Sequence, residues 1–236
     1  MGLGRSGRTV IAAPVLAALA FVALGAAAGD RTEEICRNRT GMHDGFFYTF
    51  WKDAGTACMT LGSAGSYSIE YDLRPGNLVA GVGWRTGSAT RRVGYRAAAF
   101  EPGNNSYLAL YGWSTDPLVE YYVVDNWGSE FTPPGEGAPV LGTVETDGGT
   151  YNIYRTQRVD KPSIRGTATF DQFWSVRTFR RPTGTDQAIT FANHVAVWRS
   201  HGLELGAMDY QVMATEGFGS IGRSSLTVWQ DQVSAP

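Results

Sequence analysis

Pro117-Leu118-Val119-Glu120-Tyr121-Tyr122-Val123-Val124-Asp125-Asn126-Trp127-Gly128 reads as one strong β-strand. It is rich in β-branched and aromatic residues, which suit a pleated, half-buried surface. Side chains at i and i+2 share a face of a strand. Glu120 therefore stands beside Tyr122, with Asn126 expected further along the same face. A carboxylate among aromatic rings is costly to keep without partners, so its position points to use. A second segment repeats the pattern. In Tyr210-Gln211-Val212-Met213-Ala214-Thr215-Glu216-Gly217, Tyr210 and Glu216 align on one face.

The chain around these two strands has the same character. Strands are predicted over 45–52, 56–62, 66–73, 77–84, 91–100, 106–115, 118–127, 138–145, 149–158, 168–180, 207–216 and 224–231. Turn signals separate nearly all of them: Arg74-Pro75-Gly76, Glu101-Pro102-Gly103-Asn104-Asn105, Thr132-Pro133-Pro134-Gly135 and Asp147-Gly148-Gly149. Many short strands with such punctuation predict an all-β fold, a two-sheet β-sandwich or jelly roll. One segment differs. Ile189, Phe191, Val195, Val197 and Trp198 are spaced closer to a helical than to an alternating period, and Gly202 follows as a stop. A single α-helix is predicted over 188–200, packed on the outside of the sandwich and anchored by Trp198.

Aromatic residues recur at matching parity, Tyr111 with Trp113 and Phe47 with Trp51. Such rings either fill a sandwich core or line a trough, and parity alone leaves both open. A concave row of Trp and Tyr with interspersed Asn, Gln and Arg suits the flat apolar faces and hydroxyl edges of sugars. Hydrolysis of a glycosidic bond with retention needs an attacking carboxylate and a proton-donating carboxylic acid about 5 Å apart. Glu120 and Glu216 supply that pair if the fold brings them together.

The first thirty residues carry Arg5 and Arg8, an apolar run from Val10 to Leu24, and Ala26-Ala27-Ala28-Gly29 before Asp30. That is the layout of a secretory signal peptide over 1–29. The run is shorter than the roughly 20 residues of a bilayer crossing. The mature chain, 30–236, is expected to be one domain, exported and extracellular, with no membrane segment and no appended binding module. Loss of Arg5 and Arg8 leaves 18 basic side chains against 22 acidic, a formal charge near −4. Nucleic-acid binding is not expected of such a chain.

Export permits a disulfide between Cys36 and Cys58, and two buried thiols in neighbouring strands is the other reading. Two cysteines and the scattered His43, His194 and His201 form no zinc motif. No nucleophile elbow, phosphate loop or dinucleotide fingerprint occurs.

Several ordered blocks carry a resemblance over about residues 42–230. They are Tyr111-Gly112-Trp113 with the strand quoted first, Asp147-Gly148-Gly149-Thr150-Tyr151, Pro162-Ser163-Ile164, Phe173-Trp174-Ser175-Val176-Arg177, Arg181-Pro182-Thr183-Gly184, and the segment from Tyr210 to Gly217. In these the chain resembles the family 11 xylanases of the glycoside hydrolases. The resemblance implies a jelly roll like a half-closed hand, with a cleft for internal cleavage of β-1,4-xylan and xylo-oligosaccharides. It implies no cofactor and no metal, and a monomer is expected. It makes Glu120 the nucleophile and Glu216 the general acid and base. Tyr111, Trp113 and Tyr122 would surround the nucleophile, Arg158 and Gln172 would lie across the cleft, and Tyr210 would lie beside the acid. Trp51 would be a sugar platform, Trp174 a further substrate-binding residue, and Pro162, Ser163 and Ile164 the tip of a thumb loop.

Asn77 matches the position that contacts the acid; Asn instead of Asp there implies a near-neutral or mildly alkaline optimum. Departures are Arg165 after the thumb tip, Phe218-Gly219 where Tyr-Gln is common, and the two cysteines. A related family 12 β-1,4-glucanase and a secreted sugar-binding lectin are the alternatives. The first differs by activity on carboxymethyl cellulose without activity on xylan, the second by binding sugar unchanged.

Overall fold

Alternation becomes burial most plainly in the smaller of two sheets. In Ser66–Asp72 the rings of Tyr67 and Tyr71 and the side chain of Ile69 turn inward, while Ser68, Glu70 and Asp72 face water. The computed structural model describes residues 1–2, 32–130 and 132–231. All but two residues of the expected leader lie outside that range. Among the described residues no helix is long and apolar enough to cross a membrane.

The described strands are β1 (Glu33–Ile35), β2 (Arg39–His43), β3 (Phe46–Lys52), β4 (Thr56–Leu61), β5 (Ser66–Asp72), β6 (Asn77–Trp84), β7 (Arg92–Glu101), β8 (Ser106–Thr115), β9 (Val119–Trp127), β10 (Gly142–Thr146), β11 (Gly149–Ser163), β12 (Gly166–Arg177) and β13 (Asp186–Thr190); after helix α1 (Phe191–Ser200) follow β14 (Ala207–Phe218) and β15 (Ile221–Gln230). They form a smaller sheet in the order β1-β4-β5-β15-β7-β13 and a larger one in the order β10-β11-β12-β9-β8-β14-β6-β3-β2. The pairings are antiparallel except that of β12 with β9. The two-sheet sandwich with one helix is the architecture expected from the sequence.

The larger sheet is apolar on both faces, and this sets the character of the site. Val119, Tyr121 and Val123 of β9 join Leu108, Leu110, Met213 and Phe173 in the core between the sheets. Tyr122 and Val124 of the same strand join Tyr111, Trp113, Trp174, Phe170 and Val212 on the opposite, concave face. A glycine is required between Tyr111 and Trp113. A Cβ on Gly112 would lie 2.3 Å from both the Tyr121 hydroxyl and the Tyr210 carbonyl oxygen.

Four elements differ from the expectations. The edge strands β1 and β2 carry no strong alternation, being Glu-Glu-Ile and Arg-Thr-Gly-Met-His, and they exist because β4 and β3 offer paired partners. Residues 186–190 form β13 against β7, so α1 begins at Phe191 and not at 188. α1 buries one face and leaves the other, with Asn193, Ala196 and Arg199, in water, as expected of a helix laid on the sandwich. Phe191, Val195 and Trp198 are almost fully buried and join the main core, with Trp198 packed near Tyr121, Phe173 and Phe191.

Cys36 and Cys58 are joined by a disulfide. It ties the segment just after β1 to β4, at the point where the chain leaves the smaller sheet for the larger.

Candidate active site

The concave face of the larger sheet forms the floor of a cleft. Its main chamber, about 710 Å³, is lined by Trp51, Asn77, Tyr107, Glu120, Tyr122, Arg158, Gln172, Trp174 and Glu216, among others. A connected recess of about 280 Å³ adds Tyr111, Trp113, Tyr210 and the hairpin tip Pro162, Ser163 and Ile164. Every site residue that the resemblance implied thus lines one or both of these spaces.

Register explains why they meet. Glu120 on β9 pairs with Trp113 on β8 and, on its other side, with Gln172 on β12. Glu216 on β14 pairs with Tyr107 on β8 and with Val79 on β6, which in turn pairs with Trp51 on β3. The hairpin β11–β12 runs past the end of its partner. Beyond Asp171, β12 has no pairing to β9, so residues from about 158 to 170 form a free-standing ribbon over the cleft. The ribbon's base is packed on the site through Phe170, whose ring meets Trp113 edge-on at 4.8 Å. Its tip is fastened by Arg165, which donates to both carboxylate oxygens of Asp116 at 3.1 and 3.2 Å.

The two glutamates sit in different surroundings. Glu120 is buried, yet both its oxygens accept hydrogen bonds, from Tyr111 Oη to Oε1 at 2.7 Å and from Gln172 Nε2 to Oε2 at 2.6 Å. Burial pushes its carboxyl up, and these donors, with Tyr122 and the Arg158 guanidinium, pull it back toward the ionised form. Glu216 is partly exposed to the cleft. Tyr107 Oη donates to its Oε1 at 2.9 Å, and its Oε2 has no partner. Desolvation first, and the neighbouring Glu120 charge second, push it up to about 8. The Tyr122 hydroxyl favours the ionised form of both carboxyls, as does Arg158, and both line the chamber that holds the two acids. One carboxyl is thus kept ready as a carboxylate and the other as an acid, the division of labour that acid–base chemistry at neutral pH requires.

Several placements differ from the expectations. Gln172 does not face Glu120 across the cleft but donates to it from the adjacent strand. Tyr210 packs against Phe47 at 5.4 Å and Tyr111 at 6.0 Å, and its hydroxyl feels the Glu120 charge, so it belongs to the Glu120 side of the site. Asn77 lines the cleft with Glu216, but its amide donates to Asp53 Oδ2 at 3.3 Å. Trp174 is nearly fully buried and stacked on Tyr122, with ring centroids 3.8 Å apart.

Asn126 leaves the cleft face altogether. A bulge lets Val124 and Asn126 oppose the consecutive residues Ala109 and Leu108, so parity flips. Trp127 takes the cleft side, and the extra residue, Asp125, is buried between the Tyr95 and Tyr151 hydroxyls at 2.5 and 2.6 Å.

Sequence reasoning missed Tyr107 and Asp53. Tyr107 shares parity with Tyr111 and Trp113, which was a usable signal. Asp53 lies in a turn after β3, where no periodicity marks a side chain's direction.

Comparison with known proteins agrees with this geometry. The family model described as glycosyl hydrolases family 11 matches residues 43–227. A probable endo-1,4-beta-xylanase B of Aspergillus clavatus is 46% identical over 83% of this chain and 85% of its own length. A bifunctional xylanase/xylan deacetylase of Cellvibrio japonicus is 46% identical over 88% of this chain, and an endo-1,4-beta-xylanase of the same organism is 43% identical over 92%. The chain spans 32% and 61% of the length of those two relatives. A family match over most of the described residues, on a cleft that holds two unlike glutamates, places this chain in glycoside hydrolase family 11.

Proposed function

We propose that the protein is a secreted endo-1,4-β-xylanase that cuts internal bonds of xylan with retention, Glu120 acting as nucleophile and Glu216 as general acid and base. The observation that carries this reading is the unlike pair itself: a buried carboxylate with both oxygens bonded, beside a carboxyl pushed up to about 8. The relatives named above supply the substrate, and the leader over 1–29 supplies the export.

The steps follow from the surroundings. Ionised Glu120 attacks the anomeric carbon as the glycosidic bond breaks, and Glu216 gives its proton to the leaving oxygen. A glycosyl ester on Glu120 results, and the Glu120 charge is gone. Glu216 then loses the repulsion that helped raise it, so its pKa falls and it can take a proton from water. That water attacks the same carbon, the ester breaks, and both glutamates return to their starting forms. Arg158 lowers the pKa of both acids and so opposes excess positive shift in the cleft. Trp51, Tyr122 and the tip residues Pro162, Ser163 and Ile164 would hold the sugar chain, with Asn77 on the Glu216 side.

Release of short oligosaccharides from beechwood xylan, and none from carboxymethyl cellulose, is expected of the mature protein. Glu120→Gln should remove nearly all of it. A folded protein that releases nothing from either polymer overturns the proposal, and release from cellulose alone reassigns the substrate.

A further inference from the structure

Glu120 is held by two chains of hydrogen bonds, and each begins at an indole. Trp113 Nε1 donates to Tyr111 Oη at 2.7 Å, and Tyr111 donates to Glu120 Oε1. On the other side, Trp174 Nε1 donates to Thr156 Oγ1 at 2.9 Å, Thr156 Oγ1 donates to Gln172 Oε1 at 2.9 Å, and Gln172 Nε2 donates to Glu120 Oε2. The second chain extends two residues beyond the groups that touch the carboxylate.

Its direction is forced by chemistry. An indole N–H only donates, and an amide oxygen only accepts. The Thr156 hydroxyl therefore accepts from Trp174 and gives its single proton to Gln172 Oε1. With its oxygen held there, the Gln172 amide must present its NH₂ to Glu120. The reversed amide would set an oxygen against an ionised carboxylate and leave the hydroxyl facing a donor.

The chain is also built into the sheet. Thr156 pairs with Gln172, Gln172 with Glu120 and Glu120 with Trp113, one row across four strands. Trp174 is fixed in turn by its stack on Tyr122.

We propose that Thr156 is a positioning residue: its hydroxyl, polarised by Trp174, orients the Gln172 amide so that Glu120 is kept ionised and aimed for attack. The proposal rests on the reading of Glu120 as nucleophile only for its kinetic consequence. Glu216, Arg158, Tyr107, Tyr111, Tyr122 and Tyr210, the titratable and charged groups facing Glu120, are left in place by a change at Thr156.

The test is Thr156→Val, of equal shape but without the hydroxyl, beside Thr156→Ser and Trp174→Phe. Two readouts are taken: the titration of Glu120 by NMR of carboxyl-labelled glutamate in the free protein, and kcat/KM on xylohexaose against pH. Thr156→Val should raise the Glu120 pKa and move the acid limb of the profile upward. It should lower kcat/KM about five- to tenfold, the size of one neutral hydrogen bond. Thr156→Ser should restore both, and Trp174→Phe should shift them the same way by less. If Thr156→Val does not fold, Trp174→Phe decides. Wild-type titration and an unmoved acid limb in the folded variants would overturn the proposal, whatever happens to Tm. A shifted titration in a protein inactive on xylan would sustain the relay while refuting the proposed function.

Discussion

The Tyr111 and Tyr107 hydroxyls each hold one carboxyl, and their removal gives opposite ends of the pH profile. Tyr111 donates to Glu120 and so favours its ionised form. Tyr111→Phe should raise the Glu120 pKa, move the acid limb of kcat/KM upward, and cost roughly tenfold in rate. Tyr107 donates to Glu216 and likewise favours ionisation there. Tyr107→Phe should raise the Glu216 pKa above its value near 8, so the alkaline limb moves upward with a smaller loss at the optimum. Profiles measured on one soluble xylo-oligosaccharide check both; a downward shift of either limb would contradict the assignment. Tyr111 was legible from sequence, through parity with Trp113 and the quoted blocks. Tyr107 has the same parity and was not picked out. Which aromatic reaches which glutamate is set by cross-strand register, Tyr107 opposite Glu216, and no local pattern encodes a register.

Among the elements, α1 shows where local reading stops. Its spacing betrayed a helix and the face it buries, but the pairing of β13 with β7 decided where it starts. That burial includes His194, whose two ring nitrogens have no partner and whose ring lies edge-on to Tyr151 at 4.8 Å. Desolvation lowers its pKa to about 3, with Asp147 opposing and Arg181 reinforcing the shift. The unfolded chain takes a proton as pH falls through the ordinary histidine value, and the folded chain refuses it until about 3. Stability from neutral His194 is therefore present above pH 6.5 and lost on acidification, by about 1.4 kcal/mol per unit across that window. His194→Leu should flatten this slope, as read from urea unfolding at pH 6.5 and 4.5. An unchanged slope would count against it. The disulfide belongs to this scale too. The edge strands β1 and β2 have little apolar surface of their own, and the bond between Cys36 and Cys58 fixes their crossing between sheets. Reduction, or Cys36→Ser with Cys58→Ser, should cost about 3 kcal/mol in global stability, measured by chemical denaturation.

The whole molecule is a sandwich in which one sheet serves two interiors. One face of the larger sheet closes the core; the other, lined with rings, forms a cleft whose low polarity raises both glutamates. The sandwich was legible because alternation and turn residues report on strands directly, and the one helix among the described residues through its spacing. The two acids were singled out by strand parity, and their roles by the resemblance of the blocks around them. The parity flip at Asp125 was not, since a bulge is recorded in the pairing of β8 with β9 and not in either strand alone. The same limit hid the role of Thr156, which lies in a row of four strands far apart in sequence.

The central claim is that Glu120 attacks the sugar. It is tested most directly with a xylobioside carrying 2-fluorine and a good leaving group, which slows release of a glycosyl ester more than its formation. Intact mass followed by peptide mapping should find one xylobiosyl adduct, on Glu120, in the wild type and none in Glu120→Gln. An adduct on Glu216 or elsewhere, or turnover of the reagent with no adduct at all, would contradict the account.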